Sequence, residues 1–226
     1  MAVENSELQG YDESQIEMME ENCIVVDEND LITGKDSKVN CHLNDGKLHR
    51  AFSVLIFNSN EKLLIQQRAD EKITFPSIWA NSCCSHPLYQ DGEEEDIKGA
   101  KKAAVRKLTQ ELGILPDEIQ AEKLNFITKM HYKARADQKW IEHEVDYIFA
   151  LKKDVNINPN PNEIQKTRYV DEDELDELFN KSITDDVKIG PWFRLIRDNF
   201  LSEIWANLDN LENIKDNEIH HMGEIK

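Results

Sequence analysis

The chain has 226 residues, 39% of them hydrophobic, and carries a formal net charge of −18. This length supplies a sizeable core, in one large domain or two small ones, and the low mean hydropathy (−0.65) reads as a soluble globular protein. No apolar run approaches the ~20 residues of a membrane-spanning helix, and the acidic balance speaks against nucleic acid as a partner. The four cysteines, Cys23, Cys41, Cys83 and Cys84, include an adjacent pair, which suits a reducing compartment better than a disulfide scaffold. The acidic N-terminus is unlike a targeting segment, and the C-terminal Glu-Ile-Lys lacks a Ser-Lys-Leu-type peroxisomal signal. The expected location is cytoplasmic, with peroxisomal import by another route left open.

In chain order, Met1 to about Gly10 reads as a frayed polar arm, and Ser14 to Glu21 as a short acidic helix with Met18 and Met19 placed to dock on the core. Cys23 to Val26 reads as a strand, and Lys35 to Lys47 as a polar, irregular segment carrying Lys38 and His42. His49 to Phe57 is a near-continuous apolar run, which predicts a central strand buried on both faces. Asn58 to Asn60 is a turn, and Lys62 to Arg68 the return strand of a hairpin. After the break at Pro76, Ile78 to Ala80 leads into Asn81 to Pro87, which reads Asn-Ser-Cys-Cys-Ser-His-Pro.

The acidic run Glu93 to Asp96 precedes a helix marked by Ile97, Ala100, Ala104, Leu108 and Leu112 and stopped by Gly113. Leu124 to Tyr132 and Trp140 to Leu151 read as strands, with Thr167 to Val170 as a shorter one. Glu172 to Phe179 is a short helix and Trp192 to about Leu211 an amphipathic closing helix, followed by a loose polar tail. The mixture, without strict alternation, predicts one α+β or mixed α/β domain over 1–226, with a flexible arm (about 1–10) and tail (about 212–226).

Three features carry chemistry. Cys83 and Cys84 beside His86 are either a reactive thiol near a metal-bound histidine or two small buried residues near a turn. In Glu142-His-Glu-Val-Asp146, alternation puts Glu142, Glu144 and Asp146 on one strand face. Those carboxylates repel one another near a core, which a bound cation resolves; an exposed, charged edge strand explains them equally well. His42, His49 and His86 add imidazoles suited to a divalent metal, whereas His131 and His143 have no obvious partner and His220 and His221 lie in the tail. Glu111 lies one turn after Lys107, an order consistent with a plain surface ion pair.

Arg106 to Ile114 resembles the end of a Nudix box, Arg-Glu-apolar-x-Glu-Glu-x-Gly-apolar. Arg106, Leu108, Glu111, Gly113 and Ile114 fit, but Lys107 and Gln110 replace two metal-binding carboxylates and Lys98 another glutamate. Such losses are a poor basis for ordinary Nudix hydrolysis. The remaining motifs, from about Cys23 to Trp205, resemble the type I isopentenyl-diphosphate isomerases: Cys-His-Leu, Leu-His-Arg-Ala-Phe-Ser, Gln-Gln-Arg, Asn-Ser-Cys-Cys-Ser-His-Pro, Glu-His-Glu and Pro-Trp-Phe.

That resemblance implies a Nudix-type fold with a mixed sheet flanked by helices. It implies a metal site of His42, His49, His86, Glu142 and Glu144, holding Mn²⁺, Zn²⁺ or Mg²⁺, and catalytic roles for Cys84, Glu144, Tyr132 and Trp192. Diphosphate contacts fall on Lys38, Arg68, Lys72, Ser85 and Lys107, with Glu111 sharing Mg²⁺ with the diphosphate. The implied partner is a small prenyl diphosphate and the implied assembly a monomer. A Nudix-type diphosphate hydrolase and a non-catalytic metal-binding module are the competing readings; the first needs carboxylates at 107 and 110, and the second the loss of Cys84, Glu144 or Tyr132.

Overall fold

The computed structural model describes residues 6–90, 92–184 and 187–225. Its helices are α1 (Glu13–Glu20), α2 (Lys38–His42), α3 (Asp96–Leu112), α4 (Glu172–Thr184), α5 (Pro191–Ile196) and α6 (Ser202–Ala206). Ten strands form one sheet: β1 (Asn22–Val26), β2 (Ile32–Ser37), β3 (His49–Phe57), β4 (Leu63–Arg68), β5 (Trp79–Ala80), β6 (Cys83–Ser85), β7 (Asn125–Arg135), β8 (Ile141–Lys152), β9 (Ile164–Val170) and β10 (Ile219–Ile225). Its main path runs β10-β7-β8-β3-β1-β2. β3 and β8 pair in parallel over nine residues, from His49↔Glu144 to Phe57↔Lys152, and β7 and β8 form the long antiparallel pair.

Every residue of β3 is buried, which is why it reads as an unbroken apolar run. Phe52, Val54 and Ile56 face α3 through Ala100, Ala104 and Leu108, while Leu55 and Phe57 face Trp192, Phe193 and Ile204. The α3 helix ends at Gly113 (φ 67°), whose N–H bonds back to the Leu108 and Thr109 carbonyls. A Cβ there would come within 2.4 Å of the Asn158 carbonyl oxygen, so only glycine closes this helix.

The hairpin expected from Phe57 to Leu63 opens after a single pair. β4 leaves β3 to pair with β9 and β5, while β6 takes the vacated edge of β3 (Phe52↔Ser85, Ser53↔Cys84, Val54↔Cys83). The splay strips partners from Ile56 and Leu64, and one side chain replaces them. Ser82 Oγ accepts from Ile56 N–H (2.8 Å) and donates to the Leu64 carbonyl (2.6 Å). Asn81 ties the same junction, donating through Nδ2 to the Val54 and Cys83 carbonyls.

Three other segments differ from the sequence reading. The stretch read as irregular before His49 (Lys35 to Lys47) contains the end of β2 and all of α2, the latter capped by Ser37 Oγ on Asn40 N–H. The polar segment read as a loose tail forms β10, parallel to β7. Leu8 is buried with Met19, Val39, Ile73 and Trp140, so the arm is packed by that point. These segments hide their structure because their apolar residues are few and far apart. The helix from Trp192 is interrupted by a π turn over Arg197–Leu201.

The Ser82 bracket gives a stability prediction. Ser82→Ala strands a buried N–H and a buried carbonyl, each costing about 1–3 kcal/mol. Thermal denaturation is expected to show a Tm lower by at least about 4 °C, from a total of ~2 kcal/mol or more at about 2 °C or more per kcal/mol for a chain of this size.

Candidate active site

Three elements bring three histidines to one carboxylate. His42 closes α2, His49 opens β3 and His86 follows β6, with ring centroids 4.7–5.1 Å apart. Backbone carbonyls fix two of the rings: His42 Nδ1 donates to Lys38 O (2.8 Å) and His49 Nδ1 to Lys47 O (2.6 Å). A carbonyl only accepts, so in the neutral ring each Nε2 presents a lone pair inward; at His49 burial opposes a proton there, but the Glu144 carboxylate outweighs burial and raises the pKa. Both Nε2 atoms are buried without a hydrogen-bond partner, at 3.7 and 3.5 Å from Glu144 Oε1. His86 Nε2 lies 2.8 Å from the same oxygen.

Burial keeps His42 neutral, lowering its pKa to about 4, and holds His86 well below the ordinary imidazole range. Glu144 sits well below the usual carboxylate range; burial opposes its charge, and the three imidazoles outweigh burial. The four ligand atoms lie within 4.8 Å of one another. Two partnerless imidazole lone pairs converging on one carboxylate oxygen fit a divalent cation, which would displace the His86 Nε2 proton. Glu142, expected from sequence in this set, lies outside it.

Glu142 instead meets Tyr132. The Tyr132 hydroxyl is 2.8 Å from Glu142 Oε2 and 2.6 Å from Glu144 Oε2. One hydroxyl proton cannot serve both carboxylates. Burial and the charge of Glu144 push Glu142 well above the ordinary carboxylate range, against the hydrogen bond from Tyr132. The Tyr132 hydroxyl thus bridges the two carboxylates.

Cys84 lines the same cavity from β6, together with Lys38, Arg68, Lys72, Ser85, His86, Glu111, Tyr132, Glu142, Glu144, Asp146 and Trp192. Burial raises the Cys84 thiol pKa, and Arg68, with Nη1 3.9 Å from the sulfur, acts in the opposite direction. The Arg68 guanidinium is itself held by the Phe75 and Thr74 carbonyls (3.0 and 2.8 Å) and lies 5.7 Å from the Trp192 ring centroid. Trp192 is fixed by its Nε1–H on Asn81 Oδ1 (2.9 Å).

Lys72 is buried against Glu163, with Nζ 2.8 Å from Oε2. Burial brings the Lys72 ammonium down to about 8, while Lys72 and Lys107 pull the buried Glu163 carboxyl to about 2. Lys107 does not line the cavity. Its ammonium is buried 3.2 Å from Glu111 Oε1, so the pair read from sequence as superficial is an interior one.

Two groups at the site were given no role from sequence. Asp146 follows Glu144 on the same strand face, so alternation already placed it there; Ser53 Oγ donates to its Oδ2 (2.8 Å) and its Oδ1 has no partner. Glu163 comes from a polar loop with no pattern to mark it. His86 is braced from outside by Arg106, which bonds both Glu93 carboxylate oxygens (2.7 and 2.9 Å) and the His86 carbonyl (3.2 Å).

The NUDIX domain family model matches residues 47–193. Isopentenyl-diphosphate Delta-isomerase 1 of Bos taurus is 50% identical over 218 residues, covering 93% of this chain and 96% of its own length. Isopentenyl-diphosphate delta-isomerase idi1 of Aspergillus fumigatus is 48% identical over 224 residues, 92% of this chain and 79% of its own. The chloroplastic Isopentenyl-diphosphate Delta-isomerase I of Arabidopsis thaliana is 48% identical over 201 residues, 85% of this chain and 69% of its own. Among solved structures, a Deinococcus radiodurans protein shares the fold at a TM-score of 0.58 and 17% identity, covering 80% of this chain and 99% of that one. A NUDIX hydrolase from Alicyclobacillus acidocaldarius does so at 0.51 and 10% identity, covering 71% and 96%. These two structures share the fold alone, whereas the sequence relatives match over most of the chain; the chain belongs to the isopentenyl-diphosphate Delta-isomerase family, within the Nudix fold.

Proposed function

We propose that the chain interconverts isopentenyl and dimethylallyl diphosphate by adding a proton to one end of the allylic system and removing one from the other. The observation that carries this reading is the pairing, in one buried cavity, of the Glu142–Tyr132–Glu144 cluster on β7 and β8 with the Cys84 thiol on β6. An unactivated alkene is a very weak base, so the donor must be held close to it and away from water.

In the forward direction, the Tyr132–Glu144 side delivers a proton to the terminal methylene carbon. The positive charge develops on the neighbouring tertiary carbon, and Cys84 sulfur takes a proton from the next carbon, so the double bond shifts and the diphosphate is unchanged. Cys84 must ionise for this, and the Arg68 cation at 3.9 Å favours the thiolate. In reverse, the thiol found here donates. The Trp192 ring offers its π face to the cation, worth about 2 kcal/mol when desolvated.

His42, His49, His86 and Glu144, with Glu142 adjacent, would hold one divalent ion, and Glu111 a Mg²⁺ shared with the diphosphate; bound there, these ions supply positive charge beside Glu144 and the phosphates. Lys38, Arg68, Lys72 and Ser85 bind the diphosphate itself. Lys107 acts from behind, as the counter-charge of Glu111. The site is complete within one chain, consistent with a monomer. The four cysteines include no disulfide, which suits the reducing cytoplasm.

The deciding assay supplies isopentenyl diphosphate and Mg²⁺ and follows both acid-labile allylic product and released phosphate. Cys84→Ala and Glu144→Gln are each expected to lower turnover by roughly 10²–10⁴-fold. Phosphate release that survives Cys84→Ala, without allylic product, would falsify the reading. Trp192→Leu is expected to lower kcat about 30-fold, the rate equivalent of ~2 kcal/mol, with a smaller effect on KM.

Lys72 sets the pH dependence. Its lowered pKa of about 8 means that it is a cation below that pH and neutral above it. Accordingly kcat/KM, which reports the free enzyme, is expected to fall as pH rises through about 8. The fall in kcat comes at higher pH, because bound diphosphate holds the proton on Lys72. Lys72→Arg, whose guanidinium stays charged, is expected to remove the decline near pH 8. An unchanged profile in that variant would assign the titration to another group.

A further inference from the structure

Away from the cavity, three histidines occupy successive strands on the opposite face of the sheet. His143 lies on β8, His131 on β7 and His221 on β10. The register places His221 beside His131, and His131 one diagonal step from His143. His131 Nε2 is 3.0 Å from His143 Nε2, and His131 Nδ1 is 3.1 Å from His221 Nδ1. The His131 and His143 rings stack at 20° with centroids 5.2 Å apart.

A neutral imidazole has one N–H and one lone pair, which orders the cluster. His143 Nδ1 donates to the Gly46 carbonyl (3.4 Å), leaving its Nε2 lone pair to accept from His131 Nε2–H. His131 Nδ1 then accepts from His221 Nδ1–H. Burial and the two neighbouring imidazoles lower the His131 pKa, so the ring is neutral near pH 7 and its lone pair is available.

We propose that His131 and His143 form a second metal site, separate from the cavity and selective for a borderline transition-metal cation such as Zn²⁺, Ni²⁺ or Cu²⁺. Two nitrogens at 2.0–2.1 Å from a tetrahedral ion stand ~3.3 Å apart, so the pair needs to open by only about 0.3 Å. Binding requires no net proton release. The His131 proton moves from Nε2 to Nδ1 and that of His221 from Nδ1 to Nε2, which frees both facing Nε2 lone pairs.

The shifted tautomers also complete the surroundings of the ion. His131 Nδ1–H now donates to His221 Nδ1, while His143 Nδ1–H keeps the Gly46 carbonyl. Outer hydrogen bonds of this kind orient metal-bound imidazoles and raise their basicity. Water fills the remaining positions, and Glu28 adds negative charge that bears electrostatically on His131. With imidazoles as its core, the site discriminates against Mg²⁺, which prefers oxygen ligands. Through His221 the ion would also tie β10 to the rest of the sheet.

The test uses the full, untagged chain, stripped with chelator and titrated calorimetrically with Zn²⁺. We expect a second equivalent beyond the one at the cavity. His131→Ala and His131→Asn should abolish that equivalent and leave the other unchanged, with circular dichroism confirming the fold. His221→Ala should weaken it at least tenfold, the usual effect of removing an outer hydrogen bond. Electron paramagnetic resonance of Cu²⁺ at this site should show coupling to two nitrogens, lost in both His131 variants. A single equivalent assigned to the cavity, or a second that binds equally well in the His131 variants, overturns the proposal. Because these variants leave the cavity untouched, the result is independent of the isomerase reading.

Discussion

A buried carboxylate is the constraint on which this structure turns. Glu144 is buried at the wall of the cavity, where an isolated negative charge would give up its ionisation. It stays ionised because three imidazoles and a tyrosine hydroxyl surround it. Each of these comes from a different part of the chain, so the position of one carboxylate ties α2, β3, β7 and the loop after β6 to β8. The parallel β3–β8 pairing makes this possible by setting His49 directly beside Glu144.

The rest of the cavity follows from the same economy of charge. Glu142, beside Glu144, is pushed well above the ordinary carboxylate range by burial and by that charge, and the Tyr132 hydroxyl bridges the two. Lys72 and Lys107, buried on the other side, are each matched by a carboxylate that is itself buried, Glu163 and Glu111. In a chain of net charge −18, these two ammonium groups are thus buried only beside carboxylates that compensate them.

The elements most legible in the sequence are those whose burial is simplest. The His49–Phe57 strand is buried on both faces and has the bounds expected of it, and the α3 helix is plain from its apolar spacing and the Gly113 stop. Short elements with few apolar residues, α2 and β10, carry too little periodic signal to be read. The hairpin after β3 keeps its turn and its Phe57↔Leu63 pair, but a local turn pattern says nothing about which strand a distant segment will bring; β6 and β9 take the edges beyond that pair. At the site, strand alternation correctly grouped Glu142, Glu144 and Asp146, but the chemistry of each depends on its neighbours in space. That Glu142 meets a hydroxyl while Glu144 meets imidazoles is written in the register of β7 and the placement of α2, not in the spacing.

The two adjacent cysteines show how the backbone separates like groups. Successive residues on a strand point to opposite faces, so Cys83 enters the core beneath α3 while Cys84 faces the cavity. Their pairing with Val54 and Ser53 holds them so. A bond between the two sulfurs would require β6 to leave the sheet. An oxidant that reaches Cys84 thus finds no neighbouring thiol to resolve the first oxidised state, and continued oxidation leads to sulfur acids that cells do not ordinarily reverse. Burial counters this exposure to damage, because the thiol that it keeps protonated reacts with peroxide far more slowly than a thiolate.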